Sequence, residues 1–548
     1  MKSNRTIDLI YLCTLLSIAI QALDAHAQVE LDRFFPPAVQ RGIATTIKAD
    51  GKFPQWPVKI ECNVAGVSVS CGEKAGEFLV NPPATAVGAA WIRVHDDQSA
   101  SSLVPLLMES TSVVAETEPN ENLFKATPLV MPTTIVGKLE KNGDVDMWKV
   151  SLRTGEQLVA SVTAHSLLAS PMDSVLQLVD ARGLVVSQAE DNHGLDPQLI
   201  FTARKDADYY LRLFCFPEIP TGTIGFAGGA NFNYAMRVTT TAYLDHTLPF
   251  RNVPRDKLLP VAFGWNLSPG APFEVSPATS VSPETLSLQA AQGWQGFPIQ
   301  SIPNASYGID EQTIAEHVFD LPLLYFGHIL NAKEVDRVRI RVRSGVNYRA
   351  TIESRDFGFK LDSVLRILKP DLKTQIAQND DSGRGNSDSA VEFKPTEDGE
   401  VVVEVSDLAD SGSLRHAYEL QVGVVEPSVG VSVAADHFRV SIGKSLEIPV
   451  TIDRRSGFSQ RLEFTAKNLP AGVTLEKANS EGKGDSAKSV KLKLNAAAEA
   501  LAFQKPIELI ATPVDDAGMA IAEPQAVKFT LRPWILLDEI WLTVAKDK

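Results

Sequence analysis

Apolar and polar residues alternate along most of this chain, in short runs that recur from one end to the other. Clear examples lie at 158–162, 209–214, 401–405 and 490–494. Turn-forming residues separate successive runs at intervals of roughly 8 to 12 residues, a spacing typical of β-sandwiches. Helical periodicity is nearly absent. The pattern predicts an all-β protein, organised as an elongated, multidomain string of β-sandwiches.

The chain also contains an internal repeat. G-K-L-E-K-N-G-D-V-D-M-W-K-V-S-L-R-T-G at 137–155 corresponds to G-H-I-L-N-A-K-E-V-D-R-V-R-I-R-V-R-S-G at 327–345. Further along, M-D-S-V-L-Q-L corresponds to L-D-S-V-L-R-I, and E-D-N-H-G to N-D-D-S-G. Because the matching segments keep the same order in both halves, the sequence favours two copies of one domain.

The N-terminus has the features of a secretory signal. Lys2 and Arg5 precede an apolar stretch over 9–20, and A-H-A at 25–27 supplies small residues for cleavage. The apolar stretch is too short to span a membrane, and no later segment is long enough. We therefore expect a signal peptide at 1–27, no transmembrane span, and a protein that is secreted, periplasmic or on the cell surface.

The net charge narrows the range of partners. The 548-residue chain carries a formal charge of −15 at neutral pH. Lys2 and Arg5 balance Asp8 and Asp24, so removal of the signal leaves this charge unchanged. Nucleic acid and anionic lipid both attract basic surfaces, so we expect neither as a partner. An acidic exported protein is suited to divalent cations.

The cysteines suggest a disulfide. Cys62 and Cys71 flank N-V-A-G-V-S-V-S, in which Gly66-Val67 suits a two-residue hairpin turn. That turn would place the two cysteines opposite each other on paired strands. We predict a Cys62–Cys71 disulfide, favoured by an oxidising compartment, with zinc ligation as the alternative. Cys215 is left over, and we expect it to be a buried free thiol.

An acidic stretch, A-E-T-E-P-N-E-N at 115–122, collects hard oxygen ligands. These are the side chains of Glu116, Glu118, Asn120 and Glu121. Pro119 keeps the stretch out of a helix interior. A solvated acidic linker is one interpretation. A site for a cation that prefers oxygen ligands is the other.

Several motifs together resemble the bacterial pre-peptidase C-terminal (PPC) domain. They are E-P-N-E-N, G-x-L-x-x-x-x-D-x-D, D-S-V-L-x-L, an acidic loop and a final D-Y-Y-L-R-L, at 115–240 and less completely at 310–425. This family is a jelly-roll-like β-sandwich attached to secreted peptidases, and it includes the collagen-binding domains of clostridial collagenases. R-R-S-G-F-S-Q-R-L-E-F and N-L-P-A-G-V, after residue 453, are similar to immunoglobulin-like modules of secreted bacterial proteins.

Together these features predict seven segments. They are a signal peptide (1–27), an immunoglobulin-like sandwich (28–113), a PPC-like sandwich (114–243), a Pro/Ser-rich linker or partial β module (244–304), a second PPC-like sandwich (305–427), an immunoglobulin-like sandwich (428–532) and a C-terminal tail (533–548).

The resemblance also implies a calcium site in the first PPC-like domain. Carried over residue by residue, the ligands are Glu116, Glu118, Asn120, Glu121 and Asp146. A further turn acid of the family falls on Gly143, so the adjacent Asp144 is the candidate replacement.

In the second copy, the linker ligands align with Ser306, Gly308, Asp310 and Glu311 at the offset of the repeat. Glu334 and Asp336 remain from the turn. Because half of the linker oxygens are lost, we expect this copy to bind calcium weakly or not at all.

Catalytic motifs are missing from the sequence. It has no G-x-S-x-G elbow and no H-E-x-x-H zinc helix, and its histidines are scattered. Carboxylate pairs that assemble only in space leave no local signature, so that alternative stays open. We expect no enzyme, but an exported binding or adhesion protein for an extracellular protein or polysaccharide. The alternatives are a structural spacer or envelope component, and an accessory subunit of a secreted peptidase.

Overall fold

The computed structural model describes residues 28–86, 88–219, 222, 225–250, 261–267, 274–277, 286–289, 305–310, 316–383 and 385–547. Strands dominate these residues. Helical structure among them includes α1 (His165–Leu168) and short 3-10 turns at Arg355–Phe357 and Asp485–Ala487. The predicted all-β class is confirmed. The expected signal peptide lies outside the described residues, and within them no helix is long and apolar enough to cross a membrane.

Domain 1 is a sandwich of two four-stranded sheets, ordered β1-β3-β6-β5 and β2-β8-β7-β4. Alternating residues such as Phe34, Ile47 and Phe78 point between the sheets and form its core. Its strands are β1 (Glu30–Phe35), β2 (Ala38–Gln40), β3 (Thr45–Lys52), β4 (Lys59–Cys62), β5 (Ser68–Cys71), β6 (Glu77–Asn81), β7 (Gly88–His95) and β8 (Val104–Glu109).

Domain 2 is a sandwich of two five-stranded sheets, β16-β13-β18-β11-β9 and β10-β12-β17-β14-β15. Its core includes Trp148, Leu176, Leu211 and Tyr234. Its strands are β9 (Ser112–Ala115), β10 (Thr127–Pro128), β11 (Thr133–Lys138), β12 (Asp146–Leu152), β13 (Gln157–Thr163), β14 (Met172–Asp180), β15 (Val185–Ala189), β16 (Gln198–Thr202), β17 (Ala207–Pro217) and β18 (Asn233–Thr239).

The segment after domain 2 contains β structure in its described parts. β19 (Tyr243–Leu248) pairs with β20 (Val261–Trp265), and β21 (Glu274–Pro277) pairs with β22 (Leu286–Gln289). The pairing of β19 with β20 is antiparallel and contains one irregularity, between Leu244 and His246. β19 continues directly from domain 2 and carries residues that contact domain 3.

Domain 3 has the same topology as domain 2, with sheets β23-β25-β32-β27-β30 and β24-β26-β31-β28-β29. Each of its ten strands corresponds in order to one strand of domain 2. They are β23 (Ser306–Ile309), β24 (Val318–Phe319), β25 (Leu323–His328), β26 (Val335–Val342), β27 (Tyr348–Glu353), β28 (Ser363–Leu368), β29 (Gln375–Asn379), β30 (Ala390–Phe393), β31 (Gly399–Asp407) and β32 (Ala417–Val424).

Domain 4 is a larger sandwich, with sheets β37-β39-β35-β33-β42-β43 and β34-β44-β40-β36-β38, and β41 on β40. Its strands are β33 (Ser428–Val433), β34 (His437–Ser441), β35 (Ser445–Arg455), β36 (Arg461–Lys467), β37 (Val473–Leu475), β38 (Ala478–Ser480), β39 (Ser489–Ala496), β40 (Phe503–Val514), β41 (Gln525–Ala526), β42 (Lys528–Arg532), β43 (Ile535–Leu537) and β44 (Ile540–Ala545). Because β44 lies between β34 and β40, the predicted tail at 533–548 is wrong: most of it belongs to this domain.

The predicted hairpin between Cys62 and Cys71 is also wrong. β4 pairs with β7 in one sheet and β5 pairs with β6 in the other, so the two cysteines end strands that face each other across the core. Both are free thiols in this structure, packed at the edge of the domain 1 core. Cys215 is a free, buried thiol as expected. Burial raises its pKa to about 12, which leaves it unreactive.

The string of sandwiches folds back on itself, so that domain 1 contacts domain 4. Arg93 donates to Asp436 over 2.7 Å, and both side chains are buried. The same guanidinium lies 5.3 Å from the ring of Trp541. Arg439 of domain 4 donates to the carbonyl of Gln98 in domain 1. An extended arrangement, which the sequence suggested, is therefore wrong.

Candidate metal site

The candidate site lies at the end of domain 2 where the chain enters it. β9 runs parallel to β11, with Ala115 opposite Val136, so the next residue, Glu116, reaches Gly137. Asp146 opens β12 in the opposite sheet. The entry strand and the turn before β12 therefore bring two carboxylates together across one end of the sandwich.

Three of the predicted ligands form one cluster. Ligand oxygens of Glu116, Glu118 and Asp146 all lie within 4.8 Å of one another. Calcium binds oxygen at 2.3–2.6 Å, so two ligands on opposite sides of one ion are separated by about 5 Å. The cluster therefore has the dimensions that a single calcium ion requires.

Two residues of the site were missed by the sequence analysis. The hydroxyl of Tyr234, on β18, lies 2.5 Å from both Glu116 Oε2 and Asp146 Oδ2. Gly137 makes room for this contact, since a Cβ there would overlap the tyrosine hydroxyl. A tyrosine stands in the last strand of each repeat, in N-Y-A-M and A-Y-E-L. This tyrosine, shared by the two repeats, was the sequence feature that could have pointed to the site, although a tyrosine alone does not indicate a metal ligand.

The electrostatics of the cluster favour a cation. Burial, followed by the charge of Glu116, raises the pKa of Asp146 to about 10. Burial also raises the pKa of Glu116, and the pKa of Glu118 rises through burial and the charges of Asp144 and Glu116. Carboxylates gathered this closely cannot all be ionised unless positive charge neutralises them. A divalent cation would supply that charge.

The cluster also contains buried polar atoms without a protein partner. Asp146 is fully buried, and its Oδ1 accepts no hydrogen bond from the described residues. Asn120 is fully buried as well, and neither polar atom of its amide has a partner among them. The backbone N–H of Asn120 donates to Glu118 Oε2 over 3.2 Å, which places this residue beside the cluster. Unsatisfied buried groups cost free energy, and coordination to an ion would remove that cost. The residues thus fit calcium.

The other two predicted ligands do not join the cluster. Glu121 is exposed and pairs with Lys125 over 3.1 Å. Asp144 is buried, but its Oδ2 accepts a hydrogen bond from the backbone of Glu140 at 2.6 Å and closes the turn before β12. Asp144 therefore shapes the site and adds to its negative charge, while Glu121 is paired with Lys125 on the surface.

The corresponding corner of domain 3 corrects the sequence alignment. β23 runs parallel to β25, with Ile309 opposite Phe326, so Asp310 faces Gly327 as Glu116 faces Gly137. The predicted match of Glu116 with Ser306 is therefore wrong by four residues. Asp310 Oδ2 accepts from the backbone of His328 over 2.9 Å, as Glu116 accepts from Lys138.

In domain 3, tyrosine hydroxyl groups donate hydrogen bonds to the two aspartates of this corner. Tyr418 donates to Asp336 Oδ2 over 2.7 Å, as Tyr234 does to Asp146. Tyr325 donates to the other oxygen of Asp310, Oδ1. The predicted turn acid Glu334 is exposed and accepts from the backbone of Asn331. Among the described residues, no cluster of three metal-ligating side chains forms in this domain.

An apolar groove of about 460 Å³ lies next to the domain 2 cluster. Its wall continues from the same two segments, through Leu123 on the entry side and Met147 after Asp146. Phe214 and Phe226 stack at 4.4 Å within it. Phe124, which follows the entry segment, is completely exposed. Large exposed apolar side chains around a groove often mark a binding surface.

Comparisons with known proteins yield local likenesses. No protein-family model matches the chain. A probable subtilase-type serine protease of Deinococcus radiodurans is 29% identical over 98 residues, which is 18% of this chain and 14% of that protein. The chain therefore covers only a small part of this curated relative.

Among solved structures, the pre-peptidase C-terminal domain of a Bacillus anthracis collagenase is 19% identical, with a TM-score of 0.17. The match covers 23% of this chain and all of that domain. The fibronectin(III)-like modules of Clostridium thermocellum CbhA are 13% identical, with a TM-score of 0.13, and cover 43% of this chain and 93% of theirs.

Proposed function

We propose that this protein is an exported, non-catalytic binding protein, in which domains 2 and 3 are PPC-like and domain 2 is stabilised by calcium. The observation that carries the proposal is the cluster of Glu116, Glu118 and Asp146, whose oxygens lie within 4.8 Å of one another. The motif resemblance and the local similarity to a probable subtilase-type protease support an origin among the accessory domains of secreted peptidases.

Calcium in this site would join the entry segment to the sandwich. Glu116, Glu118 and Asp146 would hold the ion, and the oxygens of Asn120 and Tyr234 are the nearest additional candidates. Extracellular modules bind calcium with dissociation constants of about 10⁻⁴–10⁻³ M. Millimolar calcium would then stabilise domain 2 by ~1 kcal/mol through mass action.

Protease protection of the entry segment tests this role. Thr117 is exposed between the two glutamates, so we expect cleavage near it to be slower in millimolar calcium than in chelator. Glu118→Gln with Asp146→Asn should abolish the difference, and Asp336→Asn should leave it intact. Equal cleavage with and without chelator would contradict calcium binding and would indicate that residues 115–122 are a solvated acidic linker.

The binding surface we propose is the apolar groove beside the calcium site. Its lining of Leu123, Met147, Phe214 and Phe226 suits an apolar side chain presented by an extended extracellular polypeptide. Arg212 and Glu121 also line it and offer a hydrogen-bond donor and an acceptor to the backbone of such a segment. Both signs of charge at the groove fit a peptide backbone better than a highly charged polysaccharide.

Retention on immobilised collagen, cellulose, chitin and peptidoglycan distinguishes protein binding from polysaccharide binding. We expect saturable retention on the protein matrix and its loss in Phe124→Ala with Phe226→Ala. Leu501→Ala, which removes a side chain 69% exposed in domain 4, is the matched control. Retention on a polysaccharide only, or retention unchanged in the double variant, would contradict this assignment.

The contact between domains 1 and 4 favours a second candidate, a structural envelope component. The buried pair of Arg93 and Asp436 joins the first domain to the last. A chain whose end domains are joined in this way suits a rigid spacer or a support for a partner. A chain that binds none of the four matrices but copurifies with a surface complex would favour this role.

A further inference from the structure

A buried chain of hydrogen bonds joins domain 2 to domain 3. Asp245 and His246 lie on β19, and Nδ1 of His246 is 2.7 Å from Asp245 Oδ2. Nε2 of His246 is 2.8 Å from Nε2 of His328, at the end of β25. His246 is fully buried, and Asp245 and His328 are each only 2% exposed. The contact between the domains therefore includes two buried histidine rings, His246 and His328.

Arg415 of domain 3 makes a second set of bonds across the same junction. It donates to Asp245 Oδ2 over 2.8 Å and to His193 Nδ1 over 2.9 Å. It also donates to the carbonyl of Asn192 over 3.1 Å. One carboxylate, Asp245, thus serves Arg415 and His246 together, and His193 is drawn into the same network.

The donors and acceptors fix the protons of this network. A guanidinium only donates, so His193 must accept at Nδ1 and carry its proton at Nε2. His246 donates to a carboxylate from Nδ1, which leaves Nε2 of the neutral ring as the acceptor for His328. His193 and His246 are both neutral in this arrangement. Protonating His246 at Nε2 would place that hydrogen against Nε2 of His328.

Burial and the neighbouring charges together lower the pKa values of His246 and His193. Burial lowers the pKa of His246 to about 3, against the raising effect of Asp245 and together with the lowering effects of His328 and Arg415. Burial and then Arg415 lower the pKa of His193, while Asp245 and Asp196 oppose them. Since both pKa values are below that of a free histidine, docking favours the neutral rings. The resulting stabilisation is complete above about pH 6.5 and is lost as the pH falls.

We propose that the junction between domains 2 and 3 is a proton-sensitive joint, which neutral histidines hold closed and which acid loosens while both sandwiches stay folded. The network joins β19 to the end of β25 and to Arg415, which precedes β32, whereas core side chains such as Trp148 and Tyr418 belong to the separate clusters of domains 2 and 3. A cavity of about 120 Å³ lined by His193, Asp245 and Arg415 gives water a position beside the network.

Opening this joint would change the surface of the protein. Phe250, beyond the end of β19, packs against Phe326, Phe357 and Phe359 of domain 3. Phe263 of β20 lies 4.4 Å from the ring of His328. These aromatic side chains would become accessible, so acid would expose an apolar surface between the two PPC-like domains.

Hydrogen exchange of the full chain, followed by mass spectrometry, tests the proposal. Each histidine that gains a proton only on opening lowers the closing equilibrium constant by about tenfold per pH unit below about pH 6.5. After correction for intrinsic exchange, peptides that cover β19 and 357–359 should lose protection between about pH 7 and about pH 5. Peptides from the central strands β14 and β31 should keep theirs.

Variants separate the histidines from general acid effects. His193→Gln with His246→Gln replaces both rings by amides that do not titrate, so protection of β19 should depend less on pH than in the natural chain. His317→Gln, an exposed histidine of domain 3, is the matched control and should keep the natural pH dependence. If the variant has weaker protection of β19 at every pH, the change of protection with pH can still be compared with that of the natural chain.

Three results would contradict the proposal of a proton-sensitive joint. Protection of β19 that does not change with pH in the natural chain is the first. The second is an unchanged pH dependence in the double variant. The third is loss of protection in β14 or β31 together with β19, since this would mean that acid unfolds the sandwiches.

Discussion

Domains 2 and 3 form the same corner of one topology but surround its acidic side chains with different neighbours. In each, a glycine admits a tyrosine hydroxyl to an aspartate at or beside the start of a strand. Domain 2 places Glu116 and Glu118 against that aspartate. Domain 3 instead places Asp310 there, with Tyr325 donating to it.

One position accounts for much of the difference. Tyr325 in β25 corresponds to Ile135 in β11, because each precedes by two residues the glycine that the repeats share. An isoleucine offers no donor, so Glu116 and its neighbours are left with surplus negative charge. Buried acids need either hydrogen-bond donors or a cation. Domain 3 supplies donors, and domain 2 has the surplus negative charge that the proposed calcium would neutralise.

The largest effect on stability should come from adding a side chain at the glycine that, in each domain, makes room for the tyrosine hydroxyl. A Cβ at residue 137 would overlap the Tyr234 hydroxyl, and one at residue 327 would overlap that of Tyr418. Gly137→Ala and Gly327→Ala should each destabilise their domain by ~1–3 kcal/mol. Only the first should also remove the response to calcium.

Urea unfolding of the full chain, followed by domain-specific hydrogen exchange, measures both effects. Gly423→Ala is the matched control, since a Cβ there meets its nearest neighbour at 3.8 Å. Gly137→Ala with undiminished stability and an undiminished calcium response would show that the close approach of Tyr234 is unimportant.

A smaller effect should follow from removing the extra hydroxyl of domain 3. Tyr325→Phe leaves Asp310 Oδ1 without its tyrosine donor, which should cost ~1–3 kcal/mol whether or not calcium is present. Tyr210→Phe, at a tyrosine whose hydroxyl makes no hydrogen bond to the described residues, should be nearly neutral. If calcium rescued Tyr325→Phe, domain 3 would have to be counted as a metal site.

The smallest effect should be at Glu121, which the sequence placed among the ligands. Its carboxylate pairs with Lys125 on the surface, and exposed pairs contribute about 0–1 kcal/mol. Glu121→Gln should leave the calcium affinity within about twofold of the natural value. A tenfold loss would show that Glu121 turns towards the ion when calcium binds.

Much of this architecture was available from the sequence. Alternation predicted strands such as β17 and β31, and the repeat, which includes Gly137 and Gly327, predicted two copies of one domain. The acidic stretch also pointed to Glu116 and Glu118, which the structure brings together with Asp146.

The failures have physical causes. The repeat offset was carried into the entry strand, where domain 3 is four residues shorter between Asp310 and Gly327 than domain 2 is between Glu116 and Gly137. Alternation around Gly66 indicated two strands but not that they enter opposite sheets, which long-range pairing with β6 and β7 decides. The contacts between domains, including the network at His246, leave no periodic signal at all.

Equilibrium dialysis with radioactive calcium tests the central claim most directly, since it counts ions bound per chain. The account predicts one calcium per chain, lost in Glu118→Gln with Asp146→Asn and kept in Asp310→Asn with Asp336→Asn. No bound calcium at millimolar concentration, or one that is lost from the domain 3 variant and kept in the domain 2 variant, would contradict it.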